Sequence, residues 1–373
     1  MHYLDANASE PLRPEARAAV LAAMEITGNP SSVHAAGRAA RRLMEDAREA
    51  LAARFGGEPG DLVFTSGGTE ADALAVHALA QGRRLVIGAT EHDAIRAAAR
   101  QASAADPLRP DIVPVHANGV VDLSALADLL ANGSPAFVCL MLANNETGTI
   151  QPIIKAAALC SAHGALLHVD AVQAAGRIDV DFARLGAHSL AISSHKLGGP
   201  SGAGALLLAP ELSALTPLIR GGGQERGRRG GTPPVAAIAG FAAAALVALD
   251  ASPLAGMRDA VERAAVAQGA RVIGASAPRL PNTTCLALPG ARADTQVIAL
   301  DLDGIAVSAG AACSSGKVAA SHVLAAMGLD SLAGQAIRVS LPWNATYAAI
   351  EAFGAAYARM ADRLRSSLVS RAA

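Results

Sequence analysis

Between residues 60 and 210 the chain alternates short, almost wholly apolar runs with Ala-rich stretches of helical composition. No other feature narrows the choice of fold as much. The apolar runs are Leu62–Thr65, Leu85–Ile87, Ile112–Val115, Phe137–Leu142, Leu166–Val169, Leu190–Ser193 and Ala205–Leu208. Short runs without polar alternation are strands buried on both faces, and the helices between them cover the two sides. The pattern predicts an α/β layer around a mostly parallel sheet of seven strands. Ligands of such sheets gather at the carboxyl ends of the strands, so the polar residues that follow each run are the first candidates for a site.

Beyond a Gly- and Arg-rich stretch at 220–231 lies the apolar segment Val235–Leu249, too short to span a bilayer and expected to be a buried helix. Near residue 255 the pattern changes to a smaller α+β unit. Its expected strands lie near Cys285–Leu288, Ile305–Ser308 and Ile337–Leu341, and its helices around 256–269, 294–302, 319–327 and 346–366.

Composition removes several function classes. With 52% hydrophobic and 17% charged residues the 373-residue chain is globular and long enough for two domains. A net charge of −1 argues against a protein that coats nucleic acid or an anionic membrane. The four cysteines, Cys139, Cys160, Cys285 and Cys313, are widely spaced and form no metal or disulfide pattern, which predicts a reducing compartment and no metal site. The first residues carry no basic region followed by an apolar stretch, so no secretory signal is expected and the expected location is cytoplasmic.

The most informative segment is HVDAVQAAGRIDVD followed by SSHKLGGPSGAGALLL. Asp170 stands just past an apolar strand, where a carboxylate is costly without a partner. Lys196 ends a later strand between apolar segments, where desolvation favours the free amine needed for a Schiff base. An Asp and a Lys on strand ends are what a pyridoxal cofactor needs, although an ordinary buried ion pair fits the same two residues. In FTSGGTEADALAV, Ser66 to Thr69 form a loop ahead of a helix, either a phosphate cradle or a plain helix start capped by Thr69. Cys313, in SAGAACSSGKV, suits an exposed loop, as a nucleophile or as an inert thiol. Cys139, Cys160 and Cys285 read as core. His92, Asn145 and Arg338 are further candidates, Arg338 as a fork for a carboxylate or as half of a surface ion pair. The run IRGGGQERGRRGG also resembles an RGG box, but it lacks interleaved aromatics.

Taken together, these segments resemble the cysteine desulfurases of the NifS/IscS type, in the class V aminotransferase group. The matching runs include YLDANAS, GNPSSVHAAGR, FTSGGTEAD, TEHDAI, NNETGTIQPI, HVDAVQAAGRIDVD, SSHKLGGPSGAGAL, GGGQERGRRGGTPPV, LPNT, GIAVSAGAACSSGKVAASHVLAAMG and IRVSL, in the family's order along nearly the whole chain. The resemblance implies the fold type I of pyridoxal-phosphate-dependent transferases. The large cofactor domain would span 15–255, and a small α+β domain of 1–14 and 256–373 would carry Cys313. It implies that Lys196 holds the aldehyde of pyridoxal 5'-phosphate and Asp170 its ring nitrogen. Gln173 would meet the phenolic oxygen, and His92 would stack on the ring and move protons. Gly68, Thr69, Ser193 and His195 would bind the phosphate, with Thr232 reaching in from the second subunit of a homodimer. Asn145 would touch the cofactor and Arg338 the carboxylate of L-cysteine. Sulfur would pass to Cys313 as a persulfide for an acceptor or scaffold protein, as in iron–sulfur cluster assembly, and alanine would be released.

Two stretches depart from the family pattern. ANASEP stands where an Ala-Thr-Thr run is usual, and Pro342-Trp343-Asn344 stands where a Gly usually follows the last strand. A selenocysteine lyase, an ordinary class V aminotransferase and a non-catalytic scaffold on the same fold are the competing expectations.

Overall fold

The structure is a computed structural model that describes residues 1–104, 109–212, 214–247, 252–310 and 320–372. It opens with β1 (His2–Tyr3), α1 (Pro14–Met24) and α2 (Ala35–Phe55). Strand–helix alternation follows: β2 (Leu62–Thr65), α3 (Gly68–Leu79), β3 (Arg84–Gly88), α4 (Asp93–Ala104), β4 (Asp111–Val113), α5 (Leu123–Leu130) and β5 (Ala136–Met141). It continues through α6 (Ile153–Ala162), β6 (Leu166–Asp170), α7 (Phe182–Leu185), β7 (Ser189–Ser193) and β8 (Gly204–Leu208).

These strands form the seven-stranded sheet expected from the sequence, in the order β2-β8-β7-β6-β5-β3-β4. Only β8 runs against the rest, antiparallel to both β2 and β7. The pairs β7–β6, β6–β5, β5–β3 and β3–β4 are parallel. Every residue of β2, β5, β7 and β8 is buried, which is why those stretches read as continuous apolar runs.

Helix α2 shows how local sequence places the cover. His34 caps it by accepting the Gly37 N–H, and Gly56 ends it in the left-handed region at φ 70°. Its buried residues Met44, Ala47, Leu51 and Phe55 recur at helical spacing and share a core with Leu62 and Phe64. Arg48 on the same face is buried and forks onto Glu225, with both contacts at 2.8 Å. The Glu225 carboxylate also accepts the Phe64 N–H. This anchor holds Glu225 and Arg226 at positive φ, a conformation L residues enter only when their surroundings enforce it. The Arg-rich stretch is thereby folded onto the sheet: Arg228 is buried on the Gly60 and Leu62 carbonyls, and Arg229 pairs with Glu70 at 2.7 Å. Those arginines are committed internally, unlike those of a nucleic-acid box.

The apolar segment after it is α8 (Val235–Leu246), three residues shorter than expected and packed on α1 and α2. The remaining elements are α9 (Ser252–Val266), β9 (Arg271–Ile273), β10 (Thr283–Ala287), α10 (Ala293–Leu302), β11 (Ile305–Ala306) and β12 (Ser308–Ala309). They end with α11 (His322–Ala326), β13 (Ala336–Ser340) and α12 (Tyr347–Ala372). A second, antiparallel sheet has the order β12-β13-β10-β9. The amino-terminal residues join this unit, since β1 pairs with β11 and Asp5 bridges to Ser340. Leu4 lies in the same core as Ile337, Phe353 and Tyr357. The strand β9 was not expected from the sequence, and the last helix runs six residues further than the expected 366.

Cys139, Cys160 and Cys285 are buried and free, as expected. Cys313 and its neighbour Lys317 lie outside the described residues. Among the described residues no helix is long and apolar enough to cross a membrane.

Candidate active site

A cavity of about 240 Å³ opens at the carboxyl ends of β2, β3, β5, β6 and β7. Nine residues predicted from the sequence line it: Gly68, Thr69, His92, Asn145, Asp170, Gln173, Ser193, His195 and Lys196. They come from the carboxyl ends of five strands and the segments that follow them, the arrangement that parallel α/β topology favours.

The chain contains three lysines, Lys155, Lys196 and Lys317. Lys155 is exposed on α6, so among the described residues Lys196 is the one lysine at the cavity. Its Nζ donates to the carbonyls of Asn7 (2.6 Å) and Ala8 (3.0 Å). Asp170 ends β6, opposite Ala191 of β7 in the parallel register. One of its oxygens accepts the Val172 N–H at 2.8 Å, and it forms no ion pair among the described residues. Burial first, then the neighbouring Asp72, push the Asp170 carboxyl up to about 7, while His92, the Val172 N–H and His168 pull it down.

Asp72, on α3, lines the same cavity and is likewise raised by burial to about 7. His168 Nε2 stands 3.1 Å from Asp72 Oδ1, and His168 Nδ1 stands 2.8 Å from Ser189 Oγ. Burial lowers His168 to about 4, so it is a neutral ring that links the two side chains. Two buried carboxyls raised by desolvation, against which the charge of His92 works only in part, make this cavity a receptor for a positive group.

The β2–α3 connection carries the opposite preference. Helix α3 begins at Gly68 with Gly67 at the N-cap and no side-chain cap, so the Thr69 cap weighed from the sequence is not formed. Its first N–H groups therefore point out without a side-chain acceptor, which suits an anion. A Cβ on Gly68 would lie 2.5 Å from Val172 Cγ2, so only glycine lets the helix start this close to the β6 connection. Ser193 Oγ is buried beside it, without a hydrogen-bond partner among the described residues. His195 is lowered to about 4 by burial, with further push from Lys196 and Arg177, and its Nδ1 lies 3.3 Å from Ser9 Oγ.

The other side chains are held from behind. Gln173 donates to the Asn7 carbonyl at 3.0 Å and accepts from Arg177 at 2.8 Å. His92 Nδ1 accepts the Ala94 N–H at 3.1 Å, which fixes the ring on the first turn of α4. Buried Glu91 ties that connection to β5 by accepting the Met141 N–H. Arg338 is buried, not the surface residue of the bland reading, and it does not line the cavity. Its Nη2 donates to Asp5 at 2.7 Å and its Nη1 to the Asn145 carbonyl at 3.2 Å, one residue from the cavity wall. Thr232 is exposed and is not among the lining residues.

Asn7, Asp72, His168 and Arg177 were not singled out from the sequence. A signal existed for two of them. Asp72 is a carboxylate inside an otherwise apolar helix face, and His168 is polar in an apolar strand, two residues before Asp170 and so on the same face.

Comparison with known proteins places the chain in a family. The aminotransferase class-V family matches residues 2–353. A cysteine desulfurase of Cereibacter sphaeroides is 41% identical over 98% of this chain and 96% of its own length. An IscS-like cysteine desulfurase of Mycobacterium tuberculosis is 37% identical over 94% of each chain. Among solved structures, a NifS-like protein from Rickettsia africae superposes with a TM-score of 0.87 at 34% identity, covering 97% of this chain and 99% of that one.

Proposed function

Because the chain belongs to the aminotransferase class-V family and is a pyridoxal-phosphate-dependent cysteine desulfurase of the NifS/IscS type, we propose that its cavity holds the cofactor between Asp170 and Lys196 and that Cys313 receives the sulfur of L-cysteine. The observation that carries this reading is the convergence on one cavity of a buried, raised carboxyl, a lysine, and a helix start without a side-chain cap beside a serine hydroxyl that has no partner among the described residues. The residues fit the group. The α3 N-terminus with Gly68, Thr69, Ser193 and His195 takes the phosphate, Asp170 the ring nitrogen, Gln173 the phenolic oxygen and Lys196 the aldehyde.

When bound, pyridoxal phosphate supplies an aldehyde that takes up an amine and a ring that withdraws electrons from the adjoining carbon. Asp170 would face the ring nitrogen and keep a proton there, which would relieve the cost of burying its carboxylate. His168 holds Asp72 away from that role by occupying one of its oxygens. Lys196 Nζ and His92 move protons at the substrate carbon and its leaving sulfur. Asn145 contributes to the cofactor wall. Arg338 holds the substrate carboxylate: among the described residues two of its five N–H donors are engaged, and its buried Nε has no partner.

Among the cysteines, Cys313 takes the acceptor role by contrast. Burial pushes the Cys160 thiol up to about 12 and raises Cys139 and Cys285 as well, which denies them the thiolate that attack requires. The persulfide on Cys313 passes to an acceptor protein, in iron–sulfur cluster assembly or a related sulfur transfer. The active form is a cytoplasmic homodimer in which Thr232 completes the partner's phosphate site. The division into a large domain (15–255) and a small one (1–14 with 256–373) is part of the same reading, supported by two sheets with separate cores.

The test is the reaction of the holoenzyme with L-cysteine in the presence of a thiol reductant. Alanine and sulfide form in equal amounts, and Cys313→Ser abolishes both. Full activity in that variant rejects the persulfide step and favours ordinary transfer chemistry.

A further inference from the structure

The two stretches that depart from the family pattern meet in space. Glu10 of ANASEP accepts the Trp343 backbone N–H at 2.6 Å, and the Trp343 indole N–H donates to the Pro11 carbonyl at 2.9 Å. The Arg13 guanidinium lies over the Trp343 ring, 5.0 Å from its centroid. Together they wall a second cavity of about 280 Å³ that shares Lys196 with the first.

Arg13 is the unusual member. It is 6% exposed, yet its side chain makes a single hydrogen bond among the described residues, from Nε to the Leu197 carbonyl at 3.0 Å. Its two terminal nitrogens have no acceptor there, and no carboxylate of the described residues stands within ion-pair reach. Glu10 and Glu15 act on this guanidinium only from beyond ion-pair reach, and its terminal nitrogens open on the cavity, so an anion that enters gains two directed hydrogen bonds and a close charge partner. The nearby acids do not fill the place. Glu10 is engaged with the Trp343 N–H and with Arg177 at 3.4 Å, burial raises its carboxyl, and Glu15 is exposed to solvent. Met257, Leu254 and Leu341 give the cavity apolar walls.

We infer that this cavity is a binding site for a small organic carboxylate, with the carboxylate forked onto the terminal nitrogens of Arg13 and a short apolar body against Met257, Leu254 and Leu341. The site is separate from the substrate position at Arg338, and its ligand touches the wall formed by Lys196. Occupancy is therefore felt at the cofactor.

Calorimetric titration of the pyridoxal-phosphate-loaded enzyme with 3-methylbutanoate tests this, with 3-methylbutan-1-ol and inorganic phosphate as controls. One carboxylate binds per chain, and the alcohol and phosphate bind at least about tenfold more weakly. Arg13→Met weakens the carboxylate about tenfold or more, whereas Arg338→Lys leaves it unchanged. Should Arg13→Met fail to fold, Trp343→Leu takes its place and weakens binding about threefold, the share of the ring beneath the cation. No binding to the wild type, phosphate binding as tightly as the carboxylate, a loss confined to Arg338→Lys, or affinity unchanged in the folded Arg13 or Trp343 variant overturns the site.

Discussion

Asp170 and Lys196 reach one cavity from neighbouring parallel strands, Asp170 as the last residue of β6 and Lys196 three residues beyond the end of β7. Burial, and then the nearby Asp72, lift the Asp170 carboxyl to about 7, against the pull of His92, the Val172 N–H and His168.

The first prediction follows from that shift. A buried carboxylate with a raised pKa binds a proton in the folded state that the unfolded chain has released. It therefore costs stability progressively as pH rises from its unfolded value of 3.8 to about 7. His168 and His195, both lowered to about 4, act with the opposite sign below their unfolded value of 6.5, so the informative quantity is a difference between proteins. In the cofactor-free state, Asp170→Asn gains stability relative to wild type between roughly pH 5 and roughly pH 8, read by thermal denaturation. In the same variant, cofactor affinity falls at both pH values, read by absorbance titration.

His168 gives the second. It is fully buried, and its ring nitrogens serve Asp72 and Ser189. His168→Ala leaves both partners unsatisfied beside a new void and costs about 2–4 kcal/mol in urea denaturation. A change below about 0.5 kcal/mol, the size typical of a surface substitution, would show that the chain of contacts carries no stability.

The third concerns the phosphate end. Gly68→Ala places a methyl 2.5 Å from Val172 Cγ2, and relief of that clash moves the start of α3 away from Ser193. Pyridoxal phosphate binds about tenfold more weakly, read as the dissociation constant of the cofactor, and Gly68→Ala/Val172→Ala recovers most of the loss. A double variant as weak as the single one would place the defect elsewhere.

The sheet was legible mainly because its central strands are buried on both faces; the edge strand β4 is partly exposed. Residues such as Phe137 to Met141 have no polar alternation to mislead, and each predicted run falls within a residue or two of its strand. The strands β1 and β9 were not, because runs of two or three partly exposed residues carry no periodicity above that of a loop. Asp170 and Lys196 could be read because a charge directly after an apolar strand stands out. Asn7 is different. Its carbonyl receives Lys196 and Gln173 across more than a hundred and sixty residues of chain, and nothing local announces such a contact. The same holds for Glu10 and Trp343, which meet across more than three hundred residues of chain.

The most direct test of the account is to locate the cofactor bond. The holoenzyme is reduced with borohydride, digested and mapped by mass spectrometry. With three lysines in the chain the answer is unambiguous. The account predicts the reduced pyridoxyl group on Lys196 alone, and none in Lys196→Ala. A label on Lys155 or Lys317, or an unlabelled chain after loading with pyridoxal phosphate, would contradict it.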